Sequence, residues 1–195
     1  PLTAISSHLH TAGRHMEKGQ VDKAQNSLDK IALLLSKITR ITKHLKAFAR
    51  VAGAELTPVC LDTVIQDAIE LMSSQIIDQH CTLDYQSNST SLYVLAEPIR
   101  LEQVMVNLIS NGVDALSSAS VKELSIKVYE QNERVMIDVS DTGIGIEESQ
   151  LEQIFDPFFT QKEVGQGLGL GLSISYNIVQ DFGGQIRVSS IPEVG

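Results

Sequence analysis

The sequence predicts an α+β fold: an N-terminal antiparallel helical hairpin, then an α/β sandwich with helices on one sheet face. Three observations predict it. Residues 1–51 repeat apolar side chains at helical spacing, later segments alternate helical stripes with short period-two runs, and those runs lack βαβ regularity. The chain has 195 residues, 43% of them hydrophobic, with five prolines and no tryptophan. That suffices for one compact domain plus a smaller helical element, and the composition is not that of a disordered chain.

The hairpin comes first. Leu2, Ile5, Leu9, Ala12 and Met16 recur at steps of 3 and 4, the spacing of a narrow coiled-coil-like seam. Gly19-Gln20 breaks the seam, and Asp22 followed by Gln25 is an N-cap signal of capping-box type. A second seam runs through Leu28, Ile31, Leu35, Ile38, Thr42, Leu45 and Ala49, widened by Ile41 and Phe48. Two helices alone bury little, so a four-helix bundle built from two copies is expected. The plainer alternative is a hairpin packed on its own domain. Gly53 and Pro58 mark a break, dividing the chain into a hairpin at 1–52 and a second domain at 53–195.

In the second domain, Asp62 caps a helix to about residue 79, with the stripe Ile65, Ile69, Met72 and Ile76. Short strands are expected around 81–86 and 92–96. Pro98 stands in the first turn of a long helix reaching about Leu116, where its missing N–H costs nothing. Residues 124–129 and 135–139 alternate as antiparallel strands, 170–181 read as a helix, Gly183-Gly184 turns the chain, and 185–190 read as a last strand.

The totals exclude some functions. A formal charge of −9 and a pI near 4.9 repel phosphate backbones, so nucleic acid is not expected as a primary partner. The charge does not forbid a small phosphorylated ligand held by local donors. Cys60 and Cys81 are the only cysteines and fit no ligand pattern, which points to a reducing compartment without a structural metal. No stretch approaches the ~18 apolar residues of a membrane span. Both ends, Pro1-Leu2-Thr3 and Glu193-Val194-Gly195, read as cut.

Four clusters carry chemistry. In the helix from Pro98, Asn107, Asn111 and Asp114 share one face, while Leu101, Met105, Leu108, Gly112 and Leu116 lie roughly opposite. Such oxygens suit a hydrated Mg²⁺ and phosphate, although alone they read better as a solvated face. Next, Asp141-Thr142-Gly143-Ile144-Gly145 follows a strand: the carboxylate can accept an exocyclic amine, and the glycines allow close approach and positive φ. The motif is weak by itself, since Asp and Gly are common turn residues. Third, Phe155-Asp156-Pro157-Phe158-Phe159-Thr160 gathers three of the five Phe, as core plugs or as a lid latch. Lys162 beside it reads as a phosphate partner or as a solvated cation. Last, Gly165-Gln166-Gly167-Leu168-Gly169-Leu170-Gly171 opens onto a helix N-terminus that can receive an anion. It lacks the Lys-Ser/Thr ending of a Walker A loop and the βαβ setting of a dinucleotide fingerprint.

In this order and spacing the clusters resemble the N, G1, F and G2 boxes of the GHKL superfamily, specifically bacterial sensor histidine kinases. The resemblance covers the whole chain and implies a GHKL-type sandwich with a mixed sheet. It implies ATP and Mg²⁺ as cofactors, with Asn111 as metal ligand and Asn107 contacting the metal or a phosphate. By the same resemblance Asp141 binds the adenine amine, Gly143 and Gly145 shape the base pocket, and Gly165, Gly167 and Gly169 form a lid hinge. Asp114, Thr160, Lys162, Leu168 and Leu170 complete the implied nucleotide contacts. Glu97 departs from the pattern, standing where an Asp is usual.

Position 107 selects the branch. Gyrase-like and chaperone members carry a Glu there to orient water, and a neutral amide cannot serve as general base. Asn107 therefore favours phosphoryl transfer to a protein. Pro1-Leu2-Thr3-Ala4-Ile5 is similar to the second half of a phosphoacceptor run, which implies an acceptor His upstream; His8, His10 and His15 lack its pattern and read as ordinary bundle histidines. Residues 38–50 and 173–184 look most like the sensor kinases for four-carbon dicarboxylates. The implied setting is the cytoplasmic part of a membrane-anchored bacterial protein, a homodimer through the hairpin whose partner is a response regulator receiver domain. A hydrolysing clamp and a non-catalytic scaffold are the rival readings.

Overall fold

The computed structural model describes residues 2–48, 55–88, 92–162 and 169–192. Their contacts divide the chain into two units, 1–50 and 51–195. The expected boundary residue Gly53 lies outside the described residues.

The first unit is a hairpin of α1 (Leu2–Glu17) and α2 (Val21–Phe48). Gly19, at φ 67°, makes the turn that only a residue without Cβ adopts cheaply. Ala12 and Ala24 are buried, whereas Leu9, Met16, Val21 and Leu28 remain exposed. The capping-box expectation is corrected: the Ala24 N–H bonds the Gln20 carbonyl, so Asp22 lies within the first turn. Gln25 donates instead to Asp29 Oδ1 at 3.0 Å, an i, i+4 pair along the helix.

The second unit contains β1 (Thr57–Cys60), α3 (Leu61–Asp78), β2 (Thr82–Ser87), β3 (Tyr93–Ala96), α4 (Pro98–Ala115), β4 (Glu123–Gln131), β5 (Arg134–Asp141) and α5 (Gly171–Asp181). The larger sheet is mixed, in the order β2-β4-β5: β2 runs parallel to β4, and β5 is antiparallel to it. In β4 the period-two pattern buries Leu124, Ile126 and Val128, which pack against Leu61, Ile65, Met105 and Ile109 of α3 and α4 in one core. Each such side chain contributes about 1.5–3 kcal/mol on full burial. A smaller core of Val104, Leu170, Ile174 and Ile178 joins α4 to α5.

Four local expectations are corrected. β1 pairs antiparallel with β3, Pro58 opposite Leu95, so Pro58 lies in a strand rather than a break. Pro is tolerated there because the two-stranded sheet offers an edge. Asp62 does not cap α3. Cys60 holds the N-cap, and Asp62 accepts from the Tyr85 hydroxyl, whose pKa burial and that partner push up to about 12. Leu108 leaves the sheet-facing stripe and packs on the α4–α5 core, while Ile109 and Val113 take its place. Residues 185–190 form no ladder among the described residues, since alternation alone cannot supply a neighbouring strand.

Candidate functional site

α4 organises the site. Glu97 caps it by accepting from Arg100 N at 2.9 Å, and Pro98 supplies the preset φ of the first turn. One face packs on the sheet. The other carries Asn107, Asn111 and Asp114, each half-buried. Asn107 Nδ2 donates to the Gly171 carbonyl and to Ser175 Oγ, both at 3.2 Å, tying the middle of α4 to the start of α5. The other ends of these helices are joined by Arg100, paired with Asp181 at 2.5 Å and stacked 5.4 Å from the centre of the Phe182 ring.

The Asn111 side chain makes no hydrogen bond among the described residues. Asp114 is engaged on both oxygens, by Gln75 Nε2 at 3.1 Å and by the Lys162 ammonium. Lys162 is thus an ion-pair partner of α4 and not merely a solvated cation. Thr160 Oγ1 accepts from Lys162 N at 3.2 Å, which turns the chain toward that pair.

Asp141 ends β5 beside α4. Burial raises its pKa above the ordinary 3.8, and the Gly143 N–H, donating to Oδ1 at 2.9 Å, opposes that rise. The expectation of positive φ holds for Gly145, at 67°, and not for Gly143. Gly143 is required by proximity: a Cβ there would lie 2.5 Å from Asp141 Oδ1 and 2.7 Å from the Ala115 Cβ. Gly169, at φ 64°, faces Phe158 and Phe159 and accepts from Phe158 N at 2.9 Å. The Phe loop is therefore fastened to the glycine run, with Phe155 also 5.3 Å from the Tyr176 ring. Leu170, expected among the ligand contacts, buries its side chain in the α4–α5 core. Gly165, Gly167 and Leu168 lie outside the described residues.

The structure thus gathers Asn107, Asn111, Asp114 and Lys162 along one helix, with Asp141 and Gly143 against its last turns. Gln75 and Ser175 were missed by sequence reasoning. A neutral amide on α3 and a hydroxyl on α5 give no local signal of a partner many residues away. A cleft of about 280 Å³ lined by Cys60, Thr63, Asp67, Ile99 and Glu102 lies toward the opposite end of α4 from Asn111.

Residues 96–195 match the family described as Histidine kinase-, DNA gyrase B-, and HSP90-like ATPase. The chain belongs to that family. Its curated relatives include the C4-dicarboxylate transport sensor protein DctB of Rhizobium meliloti, 32% identical over 98% of this chain and 31% of that protein. The sensor histidine kinase ZraS of Escherichia coli K12 is 34% identical over 79% of this chain and 32% of its own length. The chain therefore spans about a third of the curated relatives it matches. Among solved structures, the nucleotide-free catalytic domain of the histidine kinase ThkA superposes with a TM-score of 0.59 at 30% identity, covering 71% of this chain and 96% of that one. ThkA in complex with the response regulator TrrA gives 0.64 at 23% identity, covering 100% and 58%. These matches agree with the resemblance to sensor histidine kinases, dicarboxylate sensors among them.

The site's own chemistry suits the nucleotide this family name implies, and a metal ion beside it. Asn111 has no protein partner among the described residues, and no described group donates to Asn107 Oδ1. Two neutral oxygens one helical turn apart fit a hard cation that keeps most of its waters. The desolvated Asp141 carboxylate fits an amine donor. No described helix is long and apolar enough to cross a membrane.

Proposed function

We propose that this chain is the ATP-binding kinase core of a two-component sensor histidine kinase. It binds Mg-ATP and donates the γ-phosphoryl group to a His upstream of Pro1, for relay to an Asp of a response regulator. The observation that carries the reading is position 107. A half-buried amide, tethered to α5, stands where the hydrolytic branch needs a carboxylate.

The residues divide the work. Asn111 and Asn107 offer oxygen to Mg²⁺, which when bound neutralises charge on the phosphates. Asp141 accepts from the adenine amine, and its burial excludes competing water. Lys162, now paired with Asp114, reaches the same helix face from the Phe loop and can exchange that carboxylate for a phosphate oxygen. Positioning and electrostatics carry most of such a transfer, since the protein makes no covalent bond to the phosphoryl group before it moves.

The hairpin's exposed Leu9, Met16 and Leu28 support a homodimer in which two hairpins form a four-helix bundle and offer the docking surface for the regulator. A membrane-anchored parent fits the sensor proteins this chain resembles. The test is calorimetry with ADP or a non-hydrolysable analogue. The unsubstituted chain should associate in the presence of magnesium, and Asn111→Ala should lose at least tenfold in affinity only when the metal is present. Autophosphorylation at the normal rate by Asn111→Ala in a longer chain carrying the acceptor His would refute the assignment. Fast steady-state phosphate release without a phosphoprotein would place the chain on the hydrolytic branch.

A further inference from the structure

Asn107 and Asn111 have the same side chain on the same helix face, yet their surroundings differ. Asn111 has no described hydrogen-bond partner, whereas the Asn107 amide nitrogen has two: the Gly171 carbonyl and Ser175 Oγ, each at 3.2 Å. A backbone carbonyl can only accept. The nitrogen of Asn107 must therefore face α5, whatever the ambiguity of amide orientation elsewhere. An amide nitrogen carries two hydrogens, so these two acceptors consume both. What remains on the exposed side of the group is Oδ1, to which no described group donates.

Ser175 makes this orientation exclusive. It is fully buried, at 0% exposure, beside the apolar Ile174 and Ile178 and near Ser173, whose own hydroxyl donates to the Leu170 carbonyl. A buried hydroxyl costs free energy unless it is paired, so its presence there has to be explained by its partner. With only the Gly171 carbonyl, one amide hydrogen would stay unspent and the side chain could rock to present N–H outward. With Ser175 the fork is closed.

We propose that Ser175 is a positioning residue that turns Asn107 so that it presents oxygen, not N–H, to the metal-nucleotide. On this assignment Asn107 serves the cation or its waters and makes no donor contact to phosphate. This deepens the Mg-ATP reading above and rests on it.

The experiment uses the whole chain and measures association with ADP by calorimetry, once with magnesium and once with the metal chelated. The quantity of interest is the affinity gained from magnesium. Ser175→Ala should cut that gain about three- to tenfold, the range one lost hydrogen bond commands, and leave metal-free affinity unchanged. Ser175→Thr, which keeps the hydroxyl, should restore the gain. In an Asn107→Ala background Ser175→Ala should add nothing, because both act through one group. An unchanged gain in Ser175→Ala overturns the proposal, and so does an equal loss with and without metal, which is what a merely structural role gives. A second readout needs no ligand. The side-chain amide hydrogens of Asn107 should exchange with solvent more slowly than those of Asn111 by NMR, and Ser175→Ala should remove the difference. Equal exchange in the unsubstituted chain overturns the proposal. No association by the unsubstituted chain under either condition overturns the nucleotide reading itself, whereas normal association with an unaffected Ser175→Ala overturns only this assignment.

Discussion

The two units of this chain solve the burial problem differently. In the unit 51–195, Leu61, Ile65, Met105, Ile109, Leu124 and Ile126 are removed from water by partners within the same unit. Among the described residues of the unit 1–50, the buried ones are the small Ala12, Ala24 and Ser27, while Leu9 is 60% and Met16 66% exposed. A mixed sheet covered by helices closes its own core. A pair of helices covers only the line along which they touch, and its apolar stripe is wider than that line. The lesson is that the unit 51–195 closes a core of its own, whereas the hairpin leaves its larger apolar side chains in water.

The largest effect should come from the hairpin. Leu9→Glu combined with Leu28→Glu should convert the chain from dimer to monomer in sedimentation and leave the unfolding of unit 51–195 unchanged. A monomeric unsubstituted chain at tens of micromolar would break the comparison, because the exposed stripe would then have no partner. Next comes Gly143→Ala. Its Cβ would meet Asp141 Oδ1 at 2.5 Å and the Ala115 carbonyl at 2.8 Å, so the β5–α4 junction must open. A loss of about 2–4 kcal/mol in denaturant unfolding is expected, confined to the unit 51–195. Arg100→Ala removes one end of the α4–α5 clamp. Because Asp181 is 40% exposed, a loss of only about 1 kcal/mol is expected, read as a lower Tm.

The smallest effect has the opposite sign. Burial raises the pKa of Asp141 in the folded chain above 3.8. The native state then holds that proton more tightly than the unfolded one, so Asp141 favours folding fully below 3.8. That contribution is lost as pH rises through the raised folded value. Asp141→Asn removes the cost of a buried charge, and the ligand-free chain should melt at a higher temperature at neutral pH, with the difference vanishing in acid. The same substitution should weaken nucleotide association, separating what stabilises the unit from what the site needs. A lower Tm for Asp141→Asn at neutral pH would contradict this account of the carboxylate.

Much of this was legible in residue order. The helical stripes of α3 and α4 and the alternation in β4 follow from periodicity, because a buried face repeats at the period of its own backbone. The co-facial Asn107, Asn111 and Asp114 needed only the 3.6-residue turn. Helix starts were less legible, since Asp22 and Asp62 have cap-type side chains but stand one or two residues inside. β1 was hidden by Pro58, whose meaning depends on whether its strand has an edge. The expectation of a strand at 185–190 failed for the complementary reason: alternation describes one chain segment, and a ladder needs two.

What the sequence determined alone was which side chains share a face and which loops lack a Cβ, because both are set by local backbone geometry. Only the tertiary structure decided that Lys162 closes on Asp114, 48 residues away, and that Ser175 accepts from the Asn107 amide across 68. Those pairings depend on how α4, α5 and the Phe loop approach one another. That approach is fixed by the sum of packing in two shared cores, and no single segment carries it.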